Sequence, residues 1–175
     1  MGTVLSIPAD INRDLRAHLF KSDVEQLAFL LAIRQDTDSD YFRLVDLYAV
    51  PPDGFETQSS IYLSLRHEVR AKVIKWAWDR GACLVEAHSH RGHARAAFSP
   101  SDIDGFKEFV PHVWWRLQGR PYAALVFTRQ SFDALIWISG PSSPEELKAL
   151  RVKGEREERP TGLTGKMLRW QTDGS

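Results

Sequence analysis

Between Glu86 and Asp104 the chain reads EAHSHRGHARAAFSPSDID, and three of its six histidines fall within six positions there. On a strand, residues two apart share a face, so His88 and His90 at a strand's end project the same way and can chelate one cation. Two imidazoles make half of a tetrahedral zinc site, with Zn–N bonds of ~2.0–2.1 Å. A third ligand is needed. Asp102, in the first turn of the following helix, can fold back across the loop 91–98 and supply a carboxylate oxygen. His, His and Asp leave the fourth position open, as in a catalytic rather than a structural zinc site. Plainer readings stand beside this one. Ser99-Pro100-Ser101-Asp102 is by itself a helix start, with Ser99 as N-cap, Pro100 at N1 and Asp102 at N3. His93 is a rival ligand or a solvated loop residue. Glu86, on the strand face of His88, reads as an exposed strand residue or as an outer partner of the ligand.

These residues need elements to position them. Asp10 to Phe20 reads as a short helix capped by Asp10, and Val24 to Ile33 (VEQLAFLLAI) as a buried strand, with a helix as the rival reading. Tyr41 to Val50 alternates as a second strand and stops at Pro51-Pro52, followed by a loop through Ser60. Leu65, Val69, Val73, Trp76 and Ala77 mark one helical face, and Gly81 is a natural stop. Cys83 to His88 is a strand, with Cys83 as a buried small hydrophobe. The helix opened by Ser99 turns Ile103, Phe106, Phe109 and Val110 inward. Tyr122 to Thr128 and Ser131 to Ile138 are two strands around a tight turn at Arg129-Gln130. The order predicts an α/β or α+β domain over residues 1–145. Residues 146–175 read as a polar tail, ordered only if Leu163, Met167, Leu168 and Trp170 dock.

Composition narrows the function classes. With 175 residues, 43% hydrophobic and 11% aromatic, the chain has the length and apolar content of one domain with a true core. Lys+Arg 23 against Asp+Glu 23 cancel, so no overall field draws it to nucleic acid or an anionic membrane. Trp76, Trp78, Trp114 and Trp115 read as core and helix-packing residues, not base-stacking platforms. A single cysteine and the lack of an apolar run near ~18 residues predict a reducing, cytoplasmic setting without a membrane span. No phosphate-binding glycine loop, Cys-x-x-Cys pair or Gly-x-Ser-x-Gly elbow occurs.

The combination of an early glutamate, His-x-His, a short loop and Ser-x-x-Asp resembles the JAMM metalloproteases of the MPN (JAB) family. Here these are Glu25, His88-Ser89-His90 and Ser99-Pro100-Ser101-Asp102, and the resemblance spans about residues 10 to 140. It implies a cytidine-deaminase-like fold, a curved mixed β-sheet flanked by helices. By the resemblance, His88, His90 and Asp102 would bind one zinc per chain, Glu25 would take a proton from the activated water, and Ser99 would help hold the oxyanion. Arg91 stands where the family usually has proline, the loop 91–98 is one residue longer, and Ala28 and Ala32 replace common glycines. The implied activity is a zinc-dependent isopeptidase or peptidase acting at the C terminus of a ubiquitin-like protein. Its setting would be a bacterial ubiquitin-like or antiviral defence system, with activating and conjugating enzymes as further partners. A JAMM peptidase for sulfur-carrier proteins in cofactor biosynthesis and a metal-free MPN scaffold are the alternatives. An extended substrate tail is expected to pair with an edge between Pro51 and Leu63, where Thr57, Ser59 and Ile61 alternate.

Overall fold

The computed structural model describes every residue except Met1, Thr37, Asp38, Ile61, His93, Gly174 and Ser175, and side chains as far as Arg169. Helix α2 (His67–Asp79) forms where Val69, Val73, Ile74 and Ala77 repeat at helical spacing and bury together. It stops at Gly81, whose φ of +61° closes a Schellman ending: Gly81 N donates to Trp78 O, and Ala82 N to Ala77 O. The chain then enters β6 (Cys83–Ser89), buried at every position.

Around β6 lie β1 (Val4–Ile7), β2 (Leu27–Arg34), β3 (Tyr41–Ala49), β7 (Tyr122–Phe127), β8 (Phe132–Trp137), β9 (Glu145–Glu146), β10 (Ala149–Val152) and β11 (Arg156–Glu158). They form a mixed nine-stranded sheet in the order β11-β10-β1-β3-β2-β6-β7-β8-β9. The β6–β7, β1–β3 and β1–β10 pairs are parallel. Strands β4 (Phe55–Gln58) and β5 (Leu63–Leu65) make a separate two-stranded sheet. Helices cover both faces. Alternate residues Leu27, Phe29 and Leu31 of β2 join a core with α2 and α3 (Pro100–Arg116), while Ala28, Leu30 and Ala32 join a second with Leu15 and Leu19 of α1 (Ala9–Leu19). This is the mixed α+β layering expected from the alternation of elements. Among the described residues, no helix is long and apolar enough to cross a membrane.

Several expectations need correction. No side chain caps α1: Pro8 precedes it, and Asp10 sits in its first turn, accepting from Ile11 N. The stretch after residue 146 is not merely a polar tail. Leu147, Ala149, Leu150 and Val152 are core residues, β10 pairs with β1, and α4 (Leu163–Asp173) follows. Leu168 does pack on the core, whereas the side chain of Trp170 lies outside the described residues. Trp76 and Trp114 pack against the core, but Trp78 and Trp115 are exposed.

Cys83 is buried as expected, and burial pushes its thiol from an ordinary value near 9 up to about 11. Between these values the unfolded chain releases a proton that the native protein keeps. Native stability therefore falls as pH rises through that window, by on the order of 2 kcal/mol, and is unaffected below it. Denaturant midpoints of wild type and Cys83→Ala at pH 8 and pH 10.5 check this: the advantage of wild type should shrink at the higher pH.

Candidate metal centre

Near the end of β6, His88 faces the α2–α3 side of the sheet, 3% exposed. Its register places Leu27 of β2 on one side and Val126 of β7 on the other. The ladder runs on past the strand's end. Ser89 N donates to Gln26 O (3.1 Å), Gln26 N to Ser89 Oγ (3.0 Å) and His90 N to Phe127 O (2.8 Å). His90 is therefore held extended, and its ring returns to the face of His88, with the two Nε2 atoms 3.1 Å apart. The two-residue periodicity of a strand, read from sequence, is the geometry observed.

Asp102 arrives from the opposite direction, on the first turn of α3. Ser99 Oγ accepts from Asp102 N (3.1 Å), and Ser99 N donates to Asp102 Oδ2 (2.8 Å), which is a complete capping box. The same Oδ2 lies 3.3 Å from His88 Nε2 and 3.1 Å from His90 Nε2. Helix start and ligand are thus one arrangement: the cap fixes the carboxylate, and the oxygen keeps a lone pair for a cation.

The three donor atoms form a triangle with edges of 3.1, 3.3 and 3.1 Å. Ligands at ~2.0–2.1 Å from a tetrahedral ion stand about 3.3 Å apart. His88, His90 and Asp102 therefore fit one metal ion, and among the described residues they are the group that could hold one. Asp104 is not in it: its carboxylate is exposed, 4.0 Å from Lys107. His93, the rival ligand, lies outside the described residues. Burial opposes the charge on Asp102, but hydrogen bonds from His88 and His90 outweigh it and hold the carboxyl well below its ordinary range. Burial likewise opposes a charge on His88, and the Asp102 hydrogen bond reverses that and raises its pKa. Phe98 packs its ring on His88, centroids 5.7 Å apart, and Phe106 packs on Phe98.

Glu25 lies in the segment just before β2 rather than on a strand, correcting the expectation. Because Leu27 pairs with His88, the antiparallel register carries Glu25 opposite His90, and its Oε1 is 4.0 Å from His90 Nε2. Its backbone is clamped by the end of β4 and the residue after it: Glu25 N donates to Ser59 O (2.8 Å), and Gln58 Nε2 donates to Glu25 O (2.9 Å). Burial pushes the Glu25 carboxyl up, and the nearby histidines pull it partly back. Glu86 is not exposed. It is buried two residues before His88, accepts from Tyr122 OH at 2.6 Å, and has its carboxyl pushed up by burial.

A cleft of about 360 Å³ opens on this cluster, lined at one end by Glu25, His88, Ser99 and Asp102 and flanked by Tyr62 and the β5 strand. The expected edge alternation is displaced. Thr57 lies in β4 but Ser59 follows its end, Ile61 is outside the described residues, and the strand at the cleft is β5.

Fold and site together define a mixed α+β domain carrying a His-His-Asp cluster that could hold a metal ion. No family model and no curated protein matches the chain. Among solved structures it is similar to protein DSY2949 from Desulfitobacterium hafniense, known in solution, with a TM-score of 0.51 and 19% identity over 86% of this chain and 95% of that one. At that identity the likeness concerns the fold alone.

Proposed function

We propose that the protein is a zinc-dependent peptidase or isopeptidase of the JAMM kind, on an MPN-type fold, that cleaves at the C terminus of a ubiquitin-like protein. The observation that supports it best is the convergence of His88, His90 and Asp102, with donor edges of 3.1 to 3.3 Å, beside the buried carboxylate of Glu25. Two imidazoles and one carboxylate suit zinc, whereas magnesium and calcium prefer all-oxygen sites. When bound, zinc would supply a Lewis acid and lower the pKa of water toward ~7.

The chain's own residues then divide the work. Glu25 Oε1, beside the cluster, takes a proton from the attacking water and returns it to the leaving nitrogen. Ser99 Oγ already accepts from Asp102 N, which leaves its hydroxyl hydrogen for the cleft and for the developing oxyanion. Strand β5 is paired with β4 in a two-stranded sheet at the cleft wall, an arrangement able to receive an extended tail as a further strand.

Tyr62, 47% exposed at this wall, is a natural contact for the tail. Tyr62→Ala should raise KM for a ubiquitin-like substrate about tenfold, the ~1.4 kcal/mol of one good aromatic contact, and change kcat by less than about twofold. An unchanged KM would place the tail elsewhere. The reading as a whole is tested by zinc content in protein purified without added metal, together with cleavage of a C-terminally extended ubiquitin-like protein. Metal-free protein without cleavage, even after zinc is supplied, would leave the scaffold alternative.

A further inference from the structure

The loop 91–98 joins two of the proposed ligands, His90 and Asp102, and it is anchored by side chains distant in sequence. Ala96 and Phe98 are each 1% exposed. Ala96 N donates to Ser131 Oγ (2.8 Å) in the β7–β8 turn, and Ala96 O accepts from Thr161 Oγ1 (2.6 Å). Phe98 N donates to Thr164 Oγ1 at 2.9 Å, a buried bond spanning 66 residues. Thr164 is itself 1% exposed.

The segment bearing these threonines is fixed in turn to β8. Thr161 N donates to Phe132 O (2.9 Å), and the buried carboxylate of Asp133 accepts from Gly162 N (3.1 Å) and Thr164 N (2.9 Å). Asp133 thus caps α4 from another element, meeting amides that the first turn leaves without a helical partner. Gly162, at φ +71°, turns the chain into that cap.

The path from Asp133 to the site is continuous. Asp133 holds the Thr161–Thr164 turn, the turn holds Ala96 and Phe98, and Phe98 lies against His88 and directly precedes Ser99, whose cap fixes Asp102. We propose that Thr161, Thr164 and Asp133 form a clasp through which the C-terminal segment positions the metal ligands. Thr164 and its partners are positioning residues: none is among the donor atoms of the cluster. The inference rests on the metal-site reading for its consequence, but not for its geometry. Outer partners that orient ligands are worth 10–100-fold in metal affinity, and the loop's anchoring can be measured without metal.

Thr164→Val keeps the side chain's shape and removes the acceptor for Phe98 N, whereas Thr164→Ser retains it. Arg91 and Arg95 are exposed in the loop and offer trypsin two cutting sites. In metal-free protein, Thr164→Val should be cut at these sites several-fold faster than wild type, with the serine variant close to wild type. In zinc competition against a chelator, the valine variant should bind about tenfold more weakly, or worse, and the serine variant should recover. Thr161→Val, at a partly buried position, gives the same two readouts with a milder lesion should Thr164→Val fail to fold. Trypsin cleavage and zinc affinity both at wild-type values in the valine variants would overturn the clasp. A wild-type protein that takes up no zinc would instead overturn the metal reading, and the trypsin comparison would still decide whether the clasp holds the loop.

Discussion

Asp102→Ala is expected to lose metal and activity together. Its Oδ2 closes the triangle with the two Nε2 atoms at 3.3 and 3.1 Å, and without it two imidazoles remain against solvent. Losses of outer partners alone cost about 10–100-fold in affinity, so loss of a direct ligand should exceed that and bring metal stoichiometry to near zero after dialysis. The fold should survive. The same substitution removes one half of the Ser99–Asp102 capping box, worth ~1 kcal/mol, while the cores on both sheet faces are built from residues elsewhere. A thermal midpoint lowered by only a few degrees, with metal gone, is the predicted pair of results. Asp102→Asn separates the two roles, because an amide oxygen still accepts from Ser99 N but carries no charge for the cation. Full metal content in both variants would assign the third ligand elsewhere, with His93 as the first residue to test.

How much of this was legible in the sequence depended on how local each determinant is. His88 and His90 are two apart at a strand's end, and Asp102 sits three residues after a serine that starts a helix, so strand period and cap chemistry sufficed to bring them together. Glu25 had no local signal and came only through resemblance; what places it is the β2–β6 register, a pairing across about sixty residues. The same register explains why a residue before the strand, and not on it, reaches His90. For Glu86 the exposed reading fails because alternation does not hold in a strand covered on both faces, where a buried acid needs a partner such as Tyr122 that sequence does not reveal. β1 and β10 are four residues each, too short to announce a period, and each is stabilised as a strand by the other across the sheet. The charged β11 reads as solvated chain because only one of its edges is paired, where Arg151 meets Glu157 across the ladder. Trp78 and Trp115 show the opposite failure: their size suggested core, yet the inward faces of α2 and α3 were already filled by Val73, Ala77, Val110 and Val113.

Glu25→Gln is expected to keep metal and substrate affinity and to lose turnover. Glutamine preserves length and a hydrogen-bonding oxygen, and the clamp from Ser59 O and Gln58 Nε2 is untouched because it meets only main-chain atoms of residue 25. What disappears is the basic oxygen at Oε1, 4.0 Å from His90 Nε2 and too far to be a member of the ligand triangle. General-base catalysis is worth about 10²–10⁴ in rate, and the loss should fall on kcat with KM little changed, because the proton moves only in the reaction step. In metal-free protein, stability should respond in the other direction. Burial pushes the Glu25 carboxyl up, so the charged form is disfavoured in the native state and a neutral amide relieves that cost at neutral pH. The sign follows from linkage: a raised native pKa means that stability falls as pH rises from the ordinary carboxyl range through the raised value, and Glu25→Gln should remove that part of the slope. A variant that is inactive when metal-loaded, and slightly more stable than wild type when both are metal-free, is therefore the signature of an acid-base residue held buried for its function. A variant that turns over at the wild-type rate in single-turnover cleavage would show Glu25 to be a structural residue at the mouth of β2, and would direct the search for the base to Glu86.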